Sequence, residues 1–366
     1  MLAAESVAHF FWGSSMGPAL FTLGKRPSLD GLRALSVLLV LAGHSNWKLV
    51  LDDGGLVGVA VFFTISGFLI TTLIMEEWAQ RGRLDLPAFY ARRAIRLFPA
   101  LLAVVAVCVA RGFSPVEGAM VLLYLSNFMV ASENFIVPLT HTWSLAVEEQ
   151  FYLLAPLTMV LARGRWRRWA MGAAAVIVAI WAWRFAYWTS VEESIRWIYN
   201  GPTRIDGILV GCILAVWFRF RGEWRPKWWV TLPAWAFLLW YGSSFWKYSW
   251  SYFTVGMIGL QIACVIVVAW AVTFTGRWLT WQPLLYVAKI SYGLYLWHYL
   301  VFLTPQIDVL PQPIRSWVEW TLSFALAVVS WYWLERPIAR KFRGRFVRKG
   351  DPALVQTPAP ASVPGR

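Results

Sequence analysis

The stretch LVGVAVFFTISGFLITTLIME, residues 56–76, decides the fold class. It holds a single charged side chain, Glu76 at its end. A membrane-spanning helix needs about 17–25 mainly apolar residues, and this run has that length. Its small residues, Gly58, Ser66 and Gly67, are typical of spanning helices that pack closely against a neighbour. The stretch therefore predicts a helix that crosses a membrane.

The composition of the whole chain agrees with this prediction. Of its 366 residues, 59% are apolar and 14% are charged, against roughly 45–50% and about 25% in soluble domains. The 26 Trp, 23 Phe and 13 Tyr residues are an aromatic load that membrane interfaces accept. This hydrophobicity excludes a disordered chain. The three cysteines all lie in apolar runs, which excludes a disulfide-stapled secreted module; they are Cys108, Cys212 and Cys264.

Apolar runs recur along the chain and predict an all-α polytopic membrane bundle of about ten transmembrane helices. The shortest runs are near the lower limit for a span. The predicted spans are residues 32–46, 56–76, 94–111, 145–162, 169–188, 205–220, 228–245, 252–275, 284–304 and 316–334.

Charge between the spans predicts their orientation. The net charge of +14 would suggest nucleic acid in a soluble protein, but here the basic residues lie in short clusters between apolar runs. With the N-terminus in the cytoplasm, the predicted cytoplasmic segments hold 22 Lys and Arg residues and the opposite segments hold 5. The positive-inside rule then places both termini in the cytoplasm.

Three further segments complete the predicted organisation. Residues 112–144 contain no Lys or Arg but include an apolar patch, residues 119–131. A span there would invert the charge pattern of every later loop, so we expect a re-entrant or interfacial segment on the outer face. Residues 1–24 are an unassigned leader without the basic region of a signal peptide. Residues 25–349 form the membrane domain, and we expect the proline-rich tail 350–366 to be disordered.

Arg33 and His44 are ionisable residues inside the first predicted span. They are eleven residues apart, so they share one helix face and are separated by about 16.5 Å along its axis. Ionisable groups within a membrane are costly, and they mark functional sites by default. The alternative is an arginine that extends to the lipid headgroups and a histidine that is hydrogen-bonded in the bundle.

Arg92, Arg93 and Arg96 lie at the start of the third span. Arg96 is three or four residues after the other two, so the side chains can form a compact cationic face. Arginine suits bidentate recognition of phosphate, and these residues are candidate anion ligands. The alternative is ordinary cytoplasmic anchoring by basic residues.

Glu148 lies near the start of the fourth predicted span, at its outer end. Ser144, Glu148 and Tyr152 follow one another at intervals of four and form one stripe on the helix. Glu149 points about 100° away, so we expect at most one of the two carboxylates to face the bundle. The alternative to a functional role is a structural one, because the helix dipole stabilises carboxylates at a helix N-terminus.

In this order the segments resemble the acyltransferase family 3 membrane proteins, over residues 27–341. Ala60 stands where many members carry an acidic or polar residue. The matching elements are Leu29–Ala34 with His44; Phe62, Phe63 and Ser66–Phe68; Arg93 and Arg96; Trp143–Leu145, Glu148, Phe151, Tyr152 and Pro156; Ser291–His298; and Glu335–Pro337.

The resemblance implies an acyl-CoA-dependent O-acyltransferase that moves an acyl group, often acetyl, to a hydroxyl of a carbohydrate or related acceptor. It also implies a bacterial protein of the plasma (inner) membrane. No hydrolase-like domain follows the last predicted span, so we expect the stand-alone form of the family. The donor is acyl-CoA, most simply acetyl-CoA. Its phosphates are anionic, and Arg92, Arg93 and Arg96 are the candidate residues that bind them. The expected partners are this donor, the acceptor and the lipid bilayer, without nucleic acid.

Four residues are candidates for the chemistry of ester formation. His44 could take the proton of the acceptor hydroxyl or act as an acyl relay. Arg33 could position the donor or stabilise developing negative charge. Glu148 could orient His44, and Ser66 could donate a hydrogen bond to the oxyanion.

Other interpretations of the sequence concern metals, ion pairs and other functions. The histidines at positions 9, 44, 141 and 298 have no ligand-like spacing, so no metal site is expected. His298 could cap an interface, and Asp206 could pair with Arg204.

A proton-coupled transporter using Arg33, His44 and Glu148 is an alternative function, but the chain lacks the internal repeats common in transporters. A non-catalytic assembly protein of a polysaccharide pathway is the other alternative.

Overall fold

The computed structural model describes residues 21–45, 54–132, 138–187, 201–243 and 249–346. Some sequence predictions fall outside these ranges. They concern most of the leader, the tail 350–366 and three residues of the outer charge count, Lys48, Arg196 and Lys247.

Every regular element in the described part of the chain is a helix, as predicted for an all-α fold. Short 3₁₀ turns precede α6, α8 and α11, and π-helical turns precede α10 and follow α13. The helices are α1 (Pro27–His44), α2 (Gly54–Arg81), α3 (Leu86–Ala110), α4 (Pro115–Leu122), α5 (Ser126–Ala131), α6 (Trp143–Ala162), α7 (Trp166–Tyr187), α8 (Ile205–Arg221), α9 (Trp228–Gly242), α10 (Met257–Thr273), α11 (Gln282–Phe302), α12 (Pro305–Asp308), α13 (Ile314–Val329) and α14 (Arg336–Phe346).

Each predicted span coincides with a helix, and five of these helices are long and apolar enough to cross a membrane. They are α2, α3, α6 with its 3₁₀ turn, α7, and α10 with its π-helical turn. The helices α8 and α9 have 17 and 15 residues. At 1.5 Å per residue they extend about 26 and 23 Å, against about 30 Å of hydrocarbon. The count of ten spans and the cytoplasmic termini stay predictions.

The apolar patch 119–131 does not form one continuous helix. It is divided between α4 and α5, which have 8 and 6 residues. The break includes Tyr124, whose φ of 57° lies in the left-handed region. Helices of about 12 and 9 Å cannot cross a bilayer, so a spanning helix does not form here. The placement of this segment on the outer face stays a prediction.

The helix α2 is the centre of the bundle and packs against α1 and α8. Glycines let α2 and α8 approach closely, because a Cβ atom at Gly67 would overlap the Ile208 carbonyl and one at Gly211 would overlap the Thr64 carbonyl. The hydroxyl of Thr64 also donates to the carbonyl of Gly207 at 3.2 Å. Small residues thus fix the backbone around Ser66, as expected for a close helix pair in a membrane.

The start of α1 is anchored by Arg26. Its guanidinium donates to Glu223 at 2.6 Å and to the carbonyl of Val272 at 3.1 Å. Partial burial acts to raise the pKa of Glu223, but the guanidiniums of Arg26 and Arg225 more than offset it and hold this pKa below its usual value. The anchor sets the position of Arg33, two turns further along α1.

The predicted pairing of Asp206 with Arg204 is wrong. Asp206 instead forms a 2.6 Å ion pair with Arg184 of α7, and both side chains are completely buried. Trp181 of α7 also donates to Asp206, at 3.2 Å. Arg204, two residues before Asp206, was the obvious partner from the sequence, but α7 packs directly against α8 and supplies the cation. Arg204 contacts the sulfur of Met257 at 3.6 Å.

Candidate active site

The first turns of α6 adjoin α2, α3 and α11, and polar side chains gather there in two clusters. The histidine cluster lies where α1, α11 and the 3₁₀ turn before α6 meet. The carboxylate cluster lies one turn further along α6, between α2 and α3. The histidine cluster is His44, His141 and His298; the carboxylate cluster is Ser66, Arg93, Glu148, Glu149 and Tyr152.

Glu148 is the centre of the carboxylate cluster. Its Oε1 accepts hydrogen bonds from Ser66 at 2.5 Å and from Tyr152 at 2.6 Å. Tyr152 lies one helical turn after Glu148, so the predicted stripe of α6 does face the bundle. The Nη2 atom of Arg93 is 3.9 Å from the same oxygen. The carboxylate is 9% exposed, and these contacts offset the cost of burying its charge.

Glu149 also contacts the bundle, contrary to the expectation that only one carboxylate would. It binds Arg93 through two nitrogens, Nη2 at 2.5 Å and Nε at 2.8 Å. The guanidinium carbon of Arg93 lies 3.1 Å from the centre of the Tyr152 ring. Because α3 runs alongside α6, it supplies a cation to the second carboxylate. Arg93 is therefore already neutralised within the protein.

The three arginines of α3 lie in three different environments. Arg92 lies 3.6 Å from a carboxylate oxygen of Glu77 at the end of α2, whereas Arg93 binds Glu149. Arg96 is exposed and forms no ion pair with a carboxylate among the described residues. The single cationic face that the spacing suggested is thus divided, because two of the three guanidiniums have carboxylate partners.

Arg96 and Arg33 form a cationic pocket between α3 and α1. Their guanidiniums are close enough to repel each other, and the carboxylate of Asp30 lies near both. Arg33 lies 3.8 Å from Asp30 and stacks over the ring of Phe62 at 5.4 Å. The side chain of Asp30 is 48% exposed. Glu149 and Glu335 also interact electrostatically with Arg96, but neither forms an ion pair with it, so its exposed guanidinium suits an anionic ligand.

The histidine cluster is built on His298, which is fully buried in α11. Its Nδ1 lies 2.7 Å from the carbonyl oxygen of Tyr295, and its Nε2 lies 3.2 Å from Nδ1 of His44. The ring of His44 is exposed and meets the ring of Tyr299 edge to face, with centroids 5.1 Å apart. The buried imidazole of His298 thus contacts the exposed imidazole of His44.

His141 completes this cluster and connects it to α6. Its ring centroid is 5.2 Å from that of His298 and 4.9 Å from that of Tyr299. Its carbonyl accepts a hydrogen bond from the hydroxyl of Tyr295, and that hydroxyl is 2.5 Å from the hydroxyl of Ser144. Ser144 is one turn before Glu148, so α6 carries both clusters on one stretch of helix.

The structure distributes the predicted catalytic residues over both clusters and the cationic pocket. His44 contacts His298, and Glu148 contacts Ser66, so the predicted interaction in which Glu148 orients His44 is not present. The reason is the position of Glu148, one turn beyond Ser144, where α2 lies closer than the end of α1. Arg33 lies near Arg96, on the face of α1 that it shares with His44.

Sequence reasoning missed the roles of His298 and His141. His298 was interpreted as an interfacial cap, whereas the structure buries it against His44. The available signal was that His298 ends the closing motif SYGLYLWH, residues 291–298. An ionisable side chain in an apolar helix marks a functional site by default. Although three imidazoles meet here, the described residues contain no group of side chains placed to hold a metal ion.

Comparisons with known proteins converge on one family. The model of a family described as "Acyltransferase domain" matches residues 26–336. The O-acetyltransferase OatA of Staphylococcus aureus is 31% identical over 351 residues, which cover 86% of this chain and 57% of the relative. The peptidoglycan O-acetyltransferase OatA of Listeria monocytogenes is 29% identical over 350 residues, or 86% of this chain and 56% of the relative. The chain thus spans little more than half the length of these relatives. No solved structure matches it.

Proposed function

The chain belongs to the acyltransferase family just described, and from this premise we propose that it is an integral membrane O-acyltransferase. It transfers an acyl group, in the simplest case acetyl, from acyl-CoA to a hydroxyl of a carbohydrate. The names of the two relatives support acetyl as the group transferred. That of the Listeria relative supports a cell-wall glycan as the acceptor. The bacterial inner membrane, with both termini in the cytoplasm, is the proposed setting.

The cationic pocket supports acyl-CoA as the donor. Arg33 and Arg96 offer two planar guanidiniums beside the half-exposed carboxylate of Asp30. Guanidinium groups bind phosphate through paired hydrogen bonds. We therefore assign the donor phosphates to Arg33 and Arg96. Arg92 and Arg93 contribute positive charge nearby, although each already contacts a carboxylate.

The histidine cluster supplies the base in this proposal. His44 accepts the proton of the acceptor hydroxyl, and the oxygen attacks the thioester carbonyl. The thiolate of CoA then leaves and takes the proton. Positioned acid–base catalysis of this kind contributes roughly 10²–10⁴-fold. An acyl relay through the imidazole is the other role open to His44.

The carboxylate cluster supports a positioning role for Ser66 and Glu148. The hydroxyl hydrogen of Ser66 is directed to Glu148 at 2.5 Å, so it cannot donate to an oxyanion at the same time. We assign Ser66 and Tyr152 to holding the Glu148 carboxylate in place. The charge of Glu148 and Glu149 in turn orients Arg93 beside the cationic pocket.

One observation carries the proposal. Within the matched family domain, His44 has an exposed imidazole, and Arg96 has an exposed guanidinium that forms no ion pair with a carboxylate of the described residues. A base for a hydroxyl and a site for an anionic donor are the two parts that ester formation from acyl-CoA needs.

The test is acetyl transfer by the purified protein in detergent. The protein is incubated with acetyl-CoA labelled in the acetyl group and with soluble cell-wall glycan fragments, and free CoA thiol and ester-linked label are measured. We expect both to appear in equal amounts. A transporter or an assembly protein would release no thiol and form no ester, which would overturn the proposal.

A further inference from the structure

The hydrogen bonds of His298 define which of its nitrogens carries the hydrogen. Its Nδ1 lies 2.7 Å from the carbonyl oxygen of Tyr295. A carbonyl oxygen can only accept, so Nδ1 of His298 must be the protonated nitrogen. His298 is fully buried, and no carboxylate of the described residues contacts it. A positive charge at this position would be unpaired, which favours the neutral imidazole. In the neutral ring the second nitrogen, Nε2, is an acceptor.

This assignment also defines the state of His44. Nε2 of His298 lies 3.2 Å from Nδ1 of His44. Since the first atom is an acceptor, the hydrogen between them must belong to Nδ1 of His44. The remaining nitrogen of a neutral His44, its Nε2, then carries the free lone pair. No other side chain of the described residues hydrogen-bonds this ring. The backbone carbonyl of Val40, one turn earlier on α1, also lies within reach of it, and His44 is exposed.

We propose that His298 is a positioning residue that fixes His44 in its Nδ1–H tautomer and presents the Nε2 lone pair to the acceptor hydroxyl. The proton of the hydroxyl moves to Nε2 of His44 while the oxygen forms a bond to the carbonyl carbon of the thioester. When the tetrahedral intermediate collapses, the carbon–sulfur bond breaks, and the proton on Nε2 passes to the thiolate. His298 keeps its hydrogen bond to Nδ1 throughout and is not itself consumed.

The backbone anchors this arrangement from behind. The carbonyl of Tyr295 belongs to the turn of α11 that precedes His298, so the acceptor for Nδ1 is part of the helix itself. The hydroxyl of Tyr295 is bound to the carbonyl of His141 and to Ser144 at 2.5 Å. The ring of Phe302, one turn later, packs edge to face on His298 with centroids 5.5 Å apart. These contacts leave the imidazole of His298 little freedom to rotate, which is what a positioning role needs.

His141 offers a matched control because it packs beside His298 but forms no hydrogen bond to His44. Its ring packs on His298 and Tyr299, but neither ring nitrogen has a hydrogen-bond partner among the described residues. His141→Phe keeps an aromatic ring at this position and removes only the imidazole nitrogens. It should leave the tautomer of His44 unchanged.

The inference rests on the proposed function for its chemical step, but the tautomer can be measured without activity. The test is ¹⁵N spectroscopy of the full chain, labelled with ¹⁵N-histidine and reconstituted in lipid. The resonances are assigned by comparison with His44→Ala and His298→Phe. We expect a hydrogen on Nδ1 and none on Nε2 in His44, and in His298 as well. His141→Phe should preserve the signals of His44, whereas His298→Phe should produce a mixture of tautomers. A hydrogen on Nε2 of His44 in the unaltered protein would overturn the inference, whether or not the protein transfers acetyl groups.

Kinetics then separate positioning from packing. The amide oxygen of glutamine reaches about as far as Nε2 of histidine, so His298→Gln can still accept from His44. Asparagine is too short to do so. We expect kcat to fall about tenfold or more in His298→Asn and less in His298→Gln, with the KM for acetyl-CoA unchanged in both. Equal losses in the two variants, or a change in KM alone, would contradict a role through His44.

Discussion

Ser66 of α2 donates a 2.5 Å hydrogen bond to Glu148 of α6, and this bond joins two elements of the family resemblance that are 82 residues apart. The same carboxylate oxygen accepts from Tyr152 at 2.6 Å. Two donors on one oxygen hold the carboxylate in a single orientation beside Arg93. The arrangement has consequences for catalysis, because a neutral amide could accept the same two hydrogen bonds but would carry no charge beside Arg93.

Glu148→Gln should lower kcat for acetyl transfer by about 10²-fold, since the amide removes the negative charge beside Arg93. Steady-state kinetics with acetyl-CoA measure the change. Glu117→Gln, in the first turn of α4, is the matched control and should behave as the unaltered protein. A Glu148→Gln variant with unchanged kcat would remove Glu148 from the site.

Arg33→Lys and Arg96→Lys should each raise the KM for acetyl-CoA about tenfold, or about 1.4 kcal/mol in binding. Lysine keeps the charge but lacks the planar fork that binds phosphate. The exposed Arg111 at the end of α3 provides the control, Arg111→Lys, for which we expect no change. If neither pocket variant alters this KM, the donor phosphates bind elsewhere.

Gly67→Ala should destabilise the protein by about 1–3 kcal/mol, because the new Cβ atom overlaps the carbonyl of Ile208 and forces α2 away from α8. Thermal unfolding in detergent measures this loss. Gly172→Ala in α7 is the control, since nothing lies within 4 Å of its Cβ position. It should be neutral or slightly stabilising. Equal stability of the two variants would mean that α2 and α8 are not in close contact.

The orientation of the bundle can be tested with two single cysteines, in a protein whose three buried native cysteines are replaced. Ser132 and Arg83 are both exposed. Ser132→Cys should react with an impermeant thiol reagent added to intact cells. Arg83→Cys should react only after the membrane is opened. The opposite pattern would place the N-terminus outside, and the cytoplasmic donor site would have to be abandoned.

The helices were predictable because their signal is local. Long apolar runs such as residues 56–76 define a span by themselves, and each predicted span contains a helix. The distribution of charge between the spans was enough to predict that residues 119–131 do not form a spanning helix. Interhelix contacts were harder to predict. Asp206 was assigned to its sequence neighbour Arg204, whereas the true partner, Arg184, comes from another helix. Nothing in the local sequence reports which helix is adjacent.

The candidate site shows the same limit. His44 and Arg33 share a face of one helix, so their relationship was readable from spacing. The partner of His44 lies 254 residues away on α11, and only the packing of α1 against α11 identifies it. Similarly, spacing suggested one cluster from Arg92 to Arg96, but it could not show that Glu77 and Glu149 bind two of its members.

The central claim is that His44 takes the proton of the acceptor hydroxyl, and the most direct measurement is acetyl transfer by His44→Ala. The purified variant, reconstituted in lipid, is given acetyl-labelled acetyl-CoA and soluble cell-wall glycan, beside Ser45→Ala as the adjacent control. The account predicts a loss of ester formation of at least about 10²-fold for His44→Ala, with normal folding and a normal rate for Ser45→Ala. Transfer by His44→Ala at the rate of the unaltered protein would contradict it.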